Sequence, residues 1–228
     1  MAWLARRLEL GPGRTVLDVG AGTGKLTRAL AHDGATVVAV EPVNEMRSVL
    51  EREVPGAQVL DGRAEALPLP AGSADAIACG QAFHWFDGPR ALEEFHRVLR
   101  PTGKLGLIWN RRDGAQPLQR AIDEIIERHR QGPPAHDRRQ WARALDGSSR
   151  FAPGDQELFR FDQPLEPDAF VDRVMSISFV AALDAGDRDS VQERLRALAA
   201  DRLEPLRHTT EIFVYSRLDY GLNIDAPA

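Results

Sequence analysis

The sequence predicts an α/β fold with an open, doubly wound sheet. Short apolar runs alternate with helical patterns over the first half of the chain, and the first run ends in Gly20, Gly22 and Gly24. Polar residues recur where the predicted strands end. Alternating strands and helices build parallel sheets, which bind ligands beyond the carboxyl ends of their strands.

The first five strands are predicted from apolar runs bounded by turn residues. A helix over 43–53 is expected to turn Met46, Val49 and Leu50 inward, and Asp87 is expected to cap the helix before strand five. The runs that predict the strands cover residues 14–19, 35–40, 59–60, 74–79 and 105–109.

The second half of the chain is predicted to complete a single domain. A core over 14–110 is followed by a charged, arginine-rich segment over 111–155, which we interpret as a lid-like insertion. Residues 156–228 are expected to supply the closing strands and helices. The last strand, over 211–218, follows two consecutive helices, so we predict seven strands with the last antiparallel and helices on both faces.

Composition excludes several function classes. The net charge is -5 and the pI is near 5.7, so the basic field that nucleic-acid binding needs is missing. No run approaches 18 apolar residues, and the single Cys79 cannot form an internal disulfide. We therefore expect a soluble cytoplasmic protein without a membrane or nucleic-acid partner; the oligomeric state stays open.

The glycines and Glu41 predict a nucleoside ligand. Glycine lets another molecule approach the main chain closely. Glu41 ends the second strand, and a carboxylate has two acceptor oxygens for the two hydroxyls of a ribose. The pyrophosphate pattern G-x-G-x-x-G fails because Lys25 occupies the third glycine position, and Leu26 replaces the Ser or Thr of a phosphate loop.

Five segments together resemble the class I S-adenosylmethionine-dependent methyltransferases of the methyltransferase type 11 branch. The QAFHWF segment is more narrowly similar to trans-aconitate methyltransferase-like proteins. The resemblance implies a Rossmann-like fold and methyl transfer from S-adenosylmethionine to a small molecule. The five segments are VLDVGAGTG (16–24), VAVEPVNEM (38–46), AEALP (64–68), QAFHWF (81–86) and LRPTGKL (99–105).

The resemblance also implies roles for residues of the cofactor site. The glycine backbone would approach the methionine part of the cofactor, Glu41 would hold the ribose, and the Gln81 carbonyl would hold the amino group. Asp18 either orders the glycine turn or contacts that amino group. Arg63 stands where many relatives carry Asp, which leaves the adenine contact to the main chain. The expected cofactor-binding set is Asp18, Gly20, Gly22, Gly24, Glu41, Pro42, Met46, Arg63, Ala64, Glu65 and Gln81.

The candidate catalytic and substrate residues follow strands four and five. His84 either removes a proton from the acceptor or shapes the pocket together with Trp85. Arg111 and Arg112 predict a small carboxylate acceptor, because arginine pairs bidentately with carboxylates. Alternatively, these arginines and those of the insertion are solvated. The histidines show no metal-ligand spacing, so no metal site is expected.

Three functions remain open from the sequence. A methyltransferase acting on a small molecule is favoured. A nicotinamide-dependent oxidoreductase has the wrong glycine spacing, and a non-catalytic cofactor-binding domain fits the same residues. Relatives usually carry a longer segment before strand one, so either the start is truncated or the site is unusually open.

Overall fold

A computed structural model describes residues 1–31, 34–129, 140–201 and 203–219. The chain forms two compact units. The first contains residues 1–109, 138–157 and 211–228, and the second contains residues 110–137 and 158–210. The single domain with divisions at residues 110 and 155 stays a prediction.

Seven strands form one sheet in the order β3-β2-β1-β4-β5-β7-β6. The first five run parallel and the last strands are antiparallel, which confirms the predicted sheet. The strands are β1 (Thr15–Val19), β2 (Thr36–Val40), β3 (Gln58–Leu60), β4 (Ala74–Gly80), β5 (Leu99–Arg112), β6 (Phe151–Gln163) and β7 (Leu206–Arg217).

Nine α-helices occur among the described residues. Asp87 caps α4 as predicted, because its side chain accepts a hydrogen bond from the Arg90 N–H and Pro89 occupies the first turn. The helices are α1 (Ala2–Arg7), α2 (Lys25–Leu30), α3 (Asn44–Glu53), α4 (Gly88–Val98), α5 (Pro117–Ile126), α6 (Gln140–Asp146), α7 (Pro167–Met175), α8 (Ser178–Ala181) and α9 (Ala185–Asp201).

In the first unit, helices cover both faces of the sheet. Successive strand residues point to opposite faces, so Leu17 joins the apolar core that contains Phe95 of α4. Val16 joins a second core with Leu4 and Leu30. Burial on both faces explains why these strands are almost wholly apolar in sequence.

The second unit has its own apolar core. Residues at helical spacing on α5, α7 and α9 are buried together, among them Ile122, Phe170 and Leu195. No helix in the described part of the chain is long and apolar enough to cross a bilayer.

The structure departs from the sequence predictions at several elements, including the last strand, which begins at Leu206 rather than residue 211. β5 begins at Leu99, because Leu99 pairs with Ala74 and a register shift accommodates the following turn residues. β6 begins at Phe151, although its exposed middle lacks a strand-like apolar pattern. The predicted inward position of Met46 is wrong: in α3 only Leu50 is buried, and Met46 is 43% exposed.

Candidate active site

The three glycines after β1 all have positive φ angles, of 71°, 57° and 86° for Gly20, Gly22 and Gly24. A Cβ at Gly20 would lie 2.6 Å from the Cβ of Ala82, and one at Gly24 would lie 3.0 Å from Leu50. Packing within the protein therefore requires glycine at these two positions. A Cβ at Gly22 would have no described atom within 4 Å. The face of the turn at Gly22 is open to a ligand.

Glu41, at the end of β2, connects the glycine turn to α3. Its Oε2 accepts a hydrogen bond from the Gly22 N–H at 2.9 Å, and its Oε1 accepts one from the Val43 N–H at 3.0 Å. The residue is only 5% exposed. A carboxylate offers about four acceptor positions, so each oxygen can accept a further hydrogen bond from a hydroxyl group.

Asp18 lies beneath the same turn and is fully buried. Its Oδ2 accepts a hydrogen bond from the Thr27 hydroxyl of α2 at 2.6 Å, while its Oδ1 has no partner among the described residues. Burial, together with the nearby negative charge of Glu41, raises the pKa of Asp18 to about 7 even though the bonds from Thr27 lower it. The hydrogen bond to α2 supports the interpretation that Asp18 orders the turn.

The residues expected near adenine follow β2 and β3, which pair in parallel. Pro42 and Met46 are exposed, and Ala64 is buried. The Glu65 carboxylate accepts a hydrogen bond from the Asp87 N–H at 2.8 Å, so it anchors the start of α4. The side chain of Arg63 is exposed, while its carbonyl accepts a bond from Ala66. The exposed Pro42 and Met46 each offer apolar surface to a planar ring.

Gln81 follows β4 and adopts a φ angle of 58°. This left-handed conformation is uncommon for a residue with a Cβ and costs of order 1 to 3 kcal/mol. Its N–H donates to the Ile108 carbonyl at 2.9 Å, which fixes the strained residue beside β5. Strain held in this way, at the ligand-binding end of a parallel sheet, is typical of functional sites.

His84 lies in a 3₁₀ turn, Phe83–Trp85, and belongs to a row of aromatic rings in the first unit. Its ring centroid is 4.8 Å from that of Trp85 and 5.4 Å from that of Trp109. Trp109 in turn stacks on Trp141 at 5.2 Å. Trp85 is 74% exposed. The half-buried imidazole therefore contacts both tryptophan rings in a tilted arrangement.

Trp109, three residues before the end of β5, was not among the predicted site residues. Its indole Nε1–H is buried and has no hydrogen-bond partner in the described structure. Buried indole N–H groups usually have an acceptor. The sequence offered one feature that could have indicated a role for Trp109, which was its position two residues before Arg111.

Arg111 and Arg112 form the last two residues of β5 and belong to the second unit. Both are exposed. Of the other arginines predicted for the insertion, Arg128 donates to the Glu124 carbonyl. Arg130, Arg138 and Arg139 lie outside the described residues.

Cys79 is buried in β4, and burial, together with the nearby Asp18, raises the pKa of its thiol well above the ordinary value. A thiol in this state is not a nucleophile near neutral pH. The described residues contain no group of three or more His, Cys, Asp or Glu side chains that could hold a metal ion.

Comparison with known proteins identifies the class of this fold. The family model described as a methyltransferase domain matches residues 17–107. The chain is 41% identical over 187 residues to the uncharacterized methyltransferase Rv3342 of Mycobacterium tuberculosis, covering 82% of this chain and 74% of the relative. The chain belongs to the methyltransferase domain family. It is also 33% identical over 138 residues to a malonyl-[acyl-carrier protein] O-methyltransferase of Pectobacterium atrosepticum, covering 53% of this chain and 54% of the relative.

Solved structures share the fold over almost the whole chain. A candidate type II methyltransferase from Anaeromyxobacter dehalogenans superimposes with a TM-score of 0.69 at 25% identity and covers 94% of both chains. A geranyl diphosphate methyltransferase in complex with SAM superimposes with a TM-score of 0.55 at 19% identity, covering 95% of this chain and 84% of the other. The methyltransferase class was predicted correctly. The narrower resemblance to trans-aconitate methyltransferase-like proteins stays an expectation.

Proposed function

We propose that the protein transfers a methyl group from S-adenosylmethionine to a small-molecule acceptor. The open face of Gly22 carries this proposal, because the Glu41 carboxylate lies directly against the Gly22 N–H. A methionine–ribose moiety needs two features. One is a main chain without an obstructing Cβ, and the other is a carboxylate with unused acceptor capacity.

The described residues fit this cofactor. Glu41 would accept hydrogen bonds from the ribose hydroxyls, and Pro42 and Met46 would pack against the adenine. Asp18 would keep the glycine turn in place through Thr27. When bound, the cofactor supplies an electrophilic methyl group on a sulfonium, whose leaving group is a neutral thioether.

The chain's own contribution to the reaction is positioning. An in-line displacement needs the accepting atom held about 3 to 3.5 Å from the methyl carbon. The aromatic rings of His84 and Trp109 would provide apolar surface beside the acceptor, and the exposed Trp85 could cover it. His84 is also the candidate base for an acceptor that must lose a proton, through whichever ring nitrogen faces that acceptor.

A small carboxylate is the acceptor class that we favour. Arg111 and Arg112 supply guanidinium groups suited to carboxylates. The name of the Pectobacterium relative, a malonyl-[acyl-carrier protein] O-methyltransferase, describes methylation at oxygen of a malonyl group. A phenolic acceptor is the alternative, favoured by the aromatic rings around His84.

Calorimetric titration with S-adenosylmethionine, S-adenosylhomocysteine and NAD tests the cofactor. We expect the first two to bind and NAD not to bind; NAD binding alone would favour an oxidoreductase. A screen of small carboxylates and phenols with methyl-labelled cofactor then tests the reaction. If the cofactor binds and the label reaches neither class, the protein is a cofactor-binding domain or has another acceptor.

A further inference from the structure

Trp109 lies at the carboxyl end of β5, beside the residues that follow β4. Ile108 pairs with Gly80 of the parallel strand β4, and the Gln81 N–H donates to the Ile108 carbonyl. Trp109 is therefore the next residue along this end of the sheet, beyond which ligands of open α/β sheets bind. Its side chain packs on the core that contains Leu107, within the first unit.

The Trp109 indole is packed among other aromatic rings. Trp141 of α6 stacks on it with ring centroids 5.2 Å apart and planes inclined by 29°, and the tilted His84 ring lies at 5.4 Å. Phe213 of β7 meets Trp141 edge-on at 5.1 Å. The indole Nε1–H is buried in this cluster, and no atom of the described residues accepts a hydrogen bond from it.

A buried N–H without an acceptor has a cost, because the group has lost its hydrogen bond to water and gained none within the protein. This donor belongs to the ring that contacts His84, the candidate base of the proposed reaction. An indole N–H can donate but cannot accept. Its missing partner must therefore be an atom with a lone pair, and the position of Trp109 at the ligand-binding end of the sheet favours an atom of a bound molecule.

We propose that the Trp109 N–H donates a hydrogen bond to the reacting oxygen of the methyl acceptor, and so selects oxygen over nitrogen as the accepting atom. The inference rests on the methyltransferase function proposed above and adds the identity of the atom that is methylated. Because the Nε1 atom is buried, the acceptor reaches it when a neighbouring ring turns aside.

The number of lone pairs explains this selection. A carboxylate or phenolate oxygen uses one lone pair to form the bond to the methyl carbon, while the carbon–sulfur bond breaks and its electron pair stays on sulfur. A further lone pair of the same oxygen accepts from the indole. A neutral amine nitrogen has one lone pair, which the new bond consumes, and its own N–H groups would face the Trp109 donor. A carboxylate reacts as the anion, whereas a phenol passes its proton to His84.

Phenol, benzoate and aniline are the probes for a direct test on the full chain. The chain contains four tryptophans, and the indole N–H resonance that is missing from Trp109→Phe belongs to Trp109. In nuclear magnetic resonance without cofactor, we expect phenol or benzoate to move this resonance downfield. Aniline, whose lone pair is delocalised into its ring, should leave it in place. The oxygen probe that gives the larger shift distinguishes a phenolic from a carboxylic acceptor.

Methyl transfer supplies the second readout. With methyl-labelled S-adenosylmethionine, we expect a labelled product from phenol or benzoate and none from aniline. Trp109→Phe keeps an aromatic ring without the N–H, and should raise the KM for the oxygen acceptor about tenfold at unchanged cofactor affinity. Trp3→Phe makes the same change of ring in the separate core beside α1, and should leave that KM unchanged.

Two results would overturn the proposal. One is a Trp109 resonance that neither phenol nor benzoate moves. The other is methylation of aniline as efficient as that of both oxygen probes, which would leave methyl transfer itself established. Failure of S-adenosylmethionine to bind would instead refute the proposed methyltransferase function, and the resonance measurement would still show whether Trp109 donates to oxygen.

Discussion

The Glu41 carboxylate accepts a hydrogen bond from the Gly22 N–H at 2.9 Å, which ties the end of β2 to the turn that follows β1. The parallel pairing of Val19 with Val40 brings the two residues together across 19 positions of sequence. Glu41 therefore has a structural role within the protein in addition to the ribose contact that we propose. Substitutions at Glu41 must therefore distinguish its structural role from its proposed contact with the ribose.

We expect Glu41→Ala to weaken S-adenosylmethionine binding at least tenfold, because hydrogen bonds to a charged acceptor contribute about 1.5 to 3 kcal/mol each. It should also lower the melting temperature, since the N–H groups of Gly22 and Val43 lose their acceptor. Glu41→Gln keeps one acceptor oxygen and should lose less stability than affinity. Calorimetry and thermal unfolding, with the exposed Glu45→Ala as control, measure both effects. An unchanged dissociation constant would place the ribose elsewhere.

Gly20 and Gly22 are expected to respond differently to alanine. Gly20→Ala should prevent folding, because its Cβ would meet that of Ala82 at 2.6 Å. Gly22→Ala should fold with a loss of about 1 to 2 kcal/mol from its positive φ, and lose cofactor affinity.

Gly72→Ala is the matched control for Gly22→Ala. Gly72 has a φ of 64° and no described atom within 4 Å of its virtual Cβ, so it should suffer the same backbone cost. The control should bind the cofactor normally. Equal affinity of the Gly22→Ala and Gly72→Ala variants would show that the cofactor does not approach Gly22.

Asp18 should make stability depend on pH. Its pKa is about 7 in the folded protein and near 3.8 when exposed, so the folded state binds more protons between these values. The contribution of Asp18 to the free energy of unfolding is therefore fully present below pH 3.8. It declines as the pH rises to about 7, by up to roughly 4 kcal/mol.

Asp18→Asn cannot ionise and should not show this decline. Denaturant unfolding of both proteins at pH 5, 6, 7 and 8 measures the difference in their stability. The contributions of all other titratable groups cancel in that difference. The difference should change between pH 5 and 7 and level off above that. Parallel stability profiles would mean that Asp18 titrates normally.

His84 can be tested with two substitutions. If it is a base, both His84→Phe and His84→Gln should lower the turnover number about 10²- to 10⁴-fold with little change in cofactor affinity. The loss should shrink as the pH rises and the acceptor ionises unaided. If His84 only shapes the pocket, His84→Phe should retain activity, because a phenyl ring can still contact the rings of Trp85 and Trp109. Steady-state kinetics across pH distinguishes the two roles.

The order of elements was predictable from sequence, and so was the placement at strand ends of the residues that we propose for the cofactor. Buried parallel strands must be apolar on both faces, so β1, β2 and β4 appear as continuous runs, and their ends mark where Gly20, Glu41 and Gln81 lie. Asp87 signals its helix through local capping chemistry alone. Such features depend on neighbouring residues in the chain, which the sequence displays directly.

Other features depend on partners far apart in sequence, and only the tertiary structure decided them. Position 20 requires glycine because a Cβ there would meet the Cβ of Ala82. At Gly22, by contrast, no contact with a described residue excludes a Cβ. Asp18 acquires a pKa of about 7 because the folded sheet removes it from water. Charge and burial at a site are sums over the surrounding three-dimensional structure, and a linear pattern does not contain them.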